Sequence, residues 1–157
     1  MSLDSLQYYG TDDLYLNYLL HFLRPGGQLA MASAALVQEL QGPVPSHLER
    51  FWCAENWCLH TPSWWQRHWG RTGLVEVETS DLMLDGWQLW LAWAQAMGFD
   101  AWYRETLEQD AGRYLGYGRV VARRVAGKAL PTRSRGGSLA TGDISFDRHP
   151  LLRDEEQ

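Results

Sequence analysis

Four side chains in one short stretch have the types that bind metals or move protons: Cys53, Cys58, His60 and His68. Their spacing, C-x4-C-x-H-x7-H, is looser than the tight ligand pairs of zinc sites, and His68 falls two turns into an expected helix, so no metal centre is expected. His60 then stands as the one plausible titrating base between Gln41 and Pro62, its ordinary pKa near ~6.5 suiting proton transfer around neutrality. A lone histidine beside a helix cap also serves structure alone. Nine tryptophans, most of them in one central stretch, are the compositional oddity. Aromatic rings such as Trp52 and Trp57 can enclose an apolar or cationic ligand, and they equally fill cores and lids.

The chain that must position these groups has 157 residues, 45% hydrophobic and 21% charged, which is the balance of one ordinary domain with a single core. A formal charge of -5, with Lys128 the only lysine among 14 basic residues, argues against a nucleic-acid-binding face. Arg119, Arg123 and Arg124 make only a small basic end to the last expected strand. No apolar run approaches the ~20 residues of a membrane helix, and MSLDSLQYYG lacks the basic start and apolar stretch of a signal peptide. The sequence therefore reads as cytoplasmic, with both cysteines reduced.

Thr11 is placed to cap a helix whose first turn carries Asp12 and Asp13, and Leu16, Leu19, Leu20 and Leu23 share one face of it. Arg24-Pro25-Gly26-Gly27 ends that helix. Gln28 to Leu36, a run of small and apolar residues, reads as a strand buried on both faces. After the loop Gln41 to Pro45 and an aromatic-rich irregular segment from Ser46 to Cys58, Thr61-Pro62 opens a helix that stops at Thr72-Gly73. Leu74 to Thr79 alternates Val75 and Val77 with Glu76 and Glu78, as a strand near a sheet edge does. Asp85 is expected to cap a helix bearing Trp87, Trp90 and Trp93 that Gly98 ends; a second helix over Asp100 to Gln109 and a strand over Tyr114 to Ala122 follow. This alternation predicts an α/β layered domain over residues 1–125. Residues 126–157, poor in large apolar side chains, are expected to form a disordered tail.

Several of these segments resemble a known family. Leu23-Arg24-Pro25-Gly26-Gly27 before a small-residue strand is similar to the turn preceding the fifth strand of class I S-adenosylmethionine-dependent methyltransferases. In order with it stand Asp4-Ser5-Leu6-Gln7-Tyr8-Tyr9-Gly10-Thr11-Asp12-Asp13-Leu14-Tyr15, Trp57-Cys58-Leu59-His60-Thr61-Pro62-Ser63-Trp64-Trp65, Asp85-Gly86-Trp87 and Arg113-Tyr114-Leu115-Gly116-Tyr117. The set resembles the carboxyl-terminal half of a small-molecule-type member, over roughly residues 1 to 124.

The resemblance implies part of a Rossmann-like sheet of order 3-2-1-4-5-7-6, with Gln28 to Leu36 as the fifth strand, Leu74 to Thr79 as the sixth and Tyr114 to Ala122 as the antiparallel seventh. The glycine-rich loop and the acidic residue by which the family holds S-adenosylmethionine have no counterpart in this sequence. Met1 falls about where the fourth strand would end. The expectation is an amino-terminally truncated methyltransferase that does not bind its cofactor unaided, Asp4 and Ser5 being what is left of the cofactor wall. The resemblance further nominates Tyr8, Tyr9 and His60 as catalytic, and Trp52, Trp57 and Trp87 as contacts to a small-molecule or lipid-like acceptor, although Trp87 also belongs to a stripe that packs on the sheet. A complementary cofactor-binding half, or a second copy, would join at the open edge of the Gln28 to Leu36 strand. The rival expectation is a non-catalytic interaction or dimerisation module using that same edge.

Overall fold

The computed structural model describes residues 1–9 and 13–130. The expected cap at Thr11 and the tail beyond residue 130 lie outside the described residues. The regular elements are β1 (Ser2–Leu3), α1 (Asp13–Leu20), β2 (Gln28–Leu36), α2 (Pro62–Arg71), β3 (Val75–Leu82), α3 (Gly86–Ala96), α4 (Ala101–Asp110) and β4 (Leu115–Arg124), with short 3₁₀ turns at Leu6–Tyr9, Ser46–Leu48 and Ala54–Asn56. The fold is α/β: one mixed four-stranded sheet flanked by helices. No helix among the described residues is long and apolar enough to cross a membrane.

The strand order is β1-β2-β4-β3. β1 runs parallel to β2, and β4 is antiparallel to both of its neighbours. Three strands were expected, the first of them unpaired on its free side. Instead Ser2 and Leu3 pair there with Met31 and Ala32, and the Asp4 N–H donates to the Ala32 carbonyl at 2.8 Å. Even so short a strand satisfies backbone groups that would otherwise need water. β3 does take an edge position, with Val75 buried while Glu76 and Glu78 are exposed. It runs on to Leu82, past the expected end at Thr79, because a bulge between Val77 and Thr79 resets its register on β4.

Residues directly opposite in an antiparallel pair share a face, so register assigns the core. Leu29 and Met31 stand opposite Ala122 and Val120, and with Leu16 and Leu20 of α1 and Trp65 and Trp69 of α2 they form one buried cluster. The residue Leu130 packs against it. On the other face Leu36 stands opposite Leu115, and these join Trp90, Ala94, Leu107, Leu48 and Phe51 in a second cluster beneath α3 and α4. Toward the opposite end of that face the strands carry polar pairs instead: Arg119 binds Asp81 through two hydrogen bonds of 2.6 and 3.0 Å, and Arg123 binds Glu78 at 2.5 Å. β2 is thus sealed on one face only; Ala30, Ala32 and Ala34 on the other are half-buried, a correction to the expectation of a strand buried on both sides.

Local chemistry sets the helix ends. The Thr61 side chain accepts the Trp64 N–H at 3.2 Å, with Pro62 in the first helical position. Gly98 takes the left-handed conformation that terminates α3. Asp85 stands at the start of α3, but its side chain makes no capping bond, contrary to expectation. What fixes that end is Gly86: a Cβ there would lie 2.7 Å from the Tyr117 nitrogen, so α3 enters with its backbone against β4.

Candidate functional site

A cleft of about 320 Å³ opens at the carboxyl end of β1, between the start of the chain, the segment after Ser46, and α3 and α4. The carboxyl ends of strands are where open α/β sheets bind ligands. Asp4 stands at its base in the left-handed region, with φ 48°, a conformation uncommon for a residue with a side chain. Tyr8, on the 3₁₀ turn that follows, reaches the cleft while 70% exposed. The opposite wall is aromatic. Phe51 meets Trp90 and Tyr103 with ring centroids 5.8 Å apart in each case, Phe99 meets Tyr103 and Trp93 at 4.9 Å, and Trp102 carries the Arg50 guanidinium 4.2 Å above its ring. The Trp90 indole N–H donates to the Tyr103 hydroxyl at 3.0 Å, which locks α3 to α4 behind the wall.

Two phenols frame the acidic end. Tyr117 stands on the same face of β4 as Leu115, and its hydroxyl is hydrogen-bonded to Asp4. Burial, then that carboxylate, raise its ionisation far above the ordinary tyrosine range. Tyr103 is raised as well, chiefly by burial, with the Trp90 donor opposing and the Asp4 charge adding to it. Tyr117 thus keeps its proton on the Asp4 carboxylate, and Tyr103, which lines the cleft, keeps its own. Asp4, Glu55 and Asp100 give the cleft three carboxylates against the single guanidinium of Arg50.

Of the residues expected to act, Asp4 and Tyr8 come together here; the cleft lining includes none of the others. Ser5 exchanges a hydrogen bond of 2.7 Å with Ser2 instead. Tyr9 stacks on Tyr15 at 4.2 Å, packing the start of α1; burial, and then Tyr9 itself, push the Tyr15 phenol up to about 12. His60 is held elsewhere: its Nδ1 lies 3.0 Å from Glu39 Oε2, and its ring stacks on Trp64 at 3.8 Å. The other oxygen of Glu39 accepts the backbone N–H and the hydroxyl of Thr61, each at 2.8 Å, so this trio anchors the start of α2. Trp57, expected to point inward, is 65% exposed, because the turn at Ala54–Asn56 carries it outward. Trp52 packs half-buried against the second cluster. Trp87 covers Gly112, whose missing Cβ makes room for the indole.

Sequence reasoning missed Tyr103, Tyr117 and the Arg50–Trp102 pair. The usable signal was alternation on the last strand, which sets Tyr117 beside Leu115 on one face. Cys53 is exposed and Cys58 buried, and among the described residues no group of three or more histidines, cysteines and carboxylates is arranged to hold a metal ion. No known family profile matches this chain, and no curated protein sequence matches it.

Proposed function

We propose that the chain is the acceptor-binding half of a class I S-adenosylmethionine-dependent methyltransferase acting on a small molecule. One observation carries the reading: the antiparallel β4 lies between β2 and β3, giving the order β1-β2-β4-β3, which corresponds to strands 4-5-7-6 of that family's sheet. The aromatic cleft at the carboxyl end of β1 lies on the side where such a sheet would receive its ligands.

When bound, S-adenosylmethionine supplies an electrophilic methyl group. Among the described residues none forms a glycine-rich turn joining a strand to the helix after it, and the residues lining the cleft support the acceptor side of such a site. In this reading a complementary polypeptide brings that turn and docks along β1, where Leu3 and Met1 are exposed. The chain's own work is to orient the acceptor and keep water out, which is most of what an in-line displacement asks of a protein. Asp4, held by the Tyr117 hydroxyl, and the phenol of Tyr103 would fix the acceptor's polar end while the rings of Trp90 and Phe51 exclude water.

Calorimetric titration with S-adenosylhomocysteine, with and without a separately produced polypeptide carrying the glycine-rich amino-terminal half of such a methyltransferase sheet, tests the reading. Heat that appears only in the mixture is the expected result. Heat with this chain alone would overturn the division between halves, and none in either case would remove the methyltransferase reading.

A further inference from the structure

We infer that the cleft at Asp4 is a receptor for an organic ammonium ion, a small amine carrying its positive charge on a short aliphatic or aromatic body. The inference rests on the proposed function only in making that nitrogen the methyl acceptor; the binding argument stands apart from it.

Three features select this class. The first is charge: Asp4, Glu55 and Asp100 line the cleft with one guanidinium, and although Asp4 accepts from the Tyr117 hydroxyl and Asp100 Oδ2 from the Trp102 indole N–H at 3.2 Å, those neutral donors leave the negative excess that would repel an anion. The second is the wall. Electron-rich ring faces attract cations, and the wall already holds one, the Arg50 guanidinium over Trp102 at 4.2 Å. Tyr8 and Trp93, both exposed, offer further rings to the same space. The third is size. About 320 Å³ matches a small organic molecule and far exceeds a bare metal ion. A neutral apolar ligand would fit the rings but would strip water from the Asp4 carboxylate and return no charge to it, which is costly. An ammonium head at Asp4 with its body against Trp90 and Phe51 satisfies all three features.

The experiment needs no cofactor. The full chain is titrated with phenethylammonium and with neutral 2-phenylethanol, following tryptophan fluorescence and heat. The ammonium is expected to bind at least about tenfold more tightly, with the difference shrinking as salt is raised. Asp4→Asn should remove most of that preference. Tyr8→Leu, at an exposed position where folding is little affected, should weaken the ammonium several-fold; Trp57→Phe, outside the cleft, should change nothing. Equal affinity for the two ligands, or no binding of either by a chain with an unaltered circular dichroism spectrum, overturns the assignment. Ammonium binding without any cofactor heat in the preceding titration would sustain the assignment while removing the methyltransferase reading, so the two fail separately.

Discussion

His47 Nε2 lies 2.9 Å from Asp110 Oδ1, and the two side chains are only 7% and 1% exposed. The other carboxyl oxygen of Asp110 accepts the backbone N–H groups of Tyr114 and Leu115, at 3.1 and 2.9 Å. One buried carboxyl thus ties the turn at Ser46–Leu48, the end of α4 and the start of β4 together behind the aromatic wall. Asp110→Ala would leave an imidazole and two backbone donors without an acceptor, and should cost about 3–5 kcal/mol of stability. His47→Ala should cost about 1–3 kcal/mol, and the double variant less than the sum. Urea midpoints of the four proteins give the cycle; strict additivity would show the contact to be idle.

The Glu39 carboxyl titrates below the ordinary glutamate range: burial pulls it upward, and the hydrogen bonds from His60 and Thr61 outweigh that. A depressed carboxyl contributes stability that is present above its unfolded value, near ~4.3, and is lost as the pH falls through the lower folded value. Glu39→Gln should accordingly be less stable than the parent at pH 7, with the gap closing as the pH is taken below about 4. A gap independent of pH would rule out this account.

Gly86→Ala sets a methyl group 2.7 Å from the Tyr117 nitrogen and 2.8 Å from its Cβ, so α3 must lift away from β4. Destabilisation of about 1–3 kcal/mol is expected, together with weaker ligand binding, because the wall moves with α3. Gly112→Ala adds a clash with Trp87 at 2.4 Å to a backbone at φ 75°, and should destabilise at least as much. Thermal melts of both variants, beside Gly70→Ala where nothing lies within 4 Å, supply the comparison.

Tyr103→Phe leaves the Trp90 indole N–H without its acceptor in a buried setting. The expected loss is about 1–3 kcal/mol. Trp90→Phe in the Tyr103→Phe background should then cost less than it does alone, and denaturation of the pair would detect the difference.

What could be read from the sequence was local in origin. Thr61-Pro62 announces a helix start because a cap and a fixed φ act within one turn, and the alternation of Val75 and Val77 with glutamates announces a strand because it reflects a single wet face. Gly98 marks the end of α3 for the same reason. The fourth strand was hidden because Ser2 and Leu3 are too few to show a period; only their contact with Met31 and Ala32 defines them. The cleft was half visible. Asp4 and Tyr8 were named, but Tyr117 joins Asp4 from the far end of the described chain, and only strand register brings them together. His60 drew attention by its type, while its engagement depends on Glu39, a residue with no sequence mark. Trp57 misled because an aromatic residue in an irregular segment carries no periodicity to reveal its direction.

The two flanks of the sheet differ in a way that bears on the size of any assembly. Along β3, the bulge after Val77 and the exposed Glu76 and Glu78 oppose the addition of another strand, leaving β1 as the flank where the ladder can continue. Where two such flanks meet edge to edge about a two-fold axis, or one meets a different chain, the joinable flank is covered. Among the described residues the sheet thus offers one flank to a further strand, which favours a pair of polypeptides over repeated strand addition.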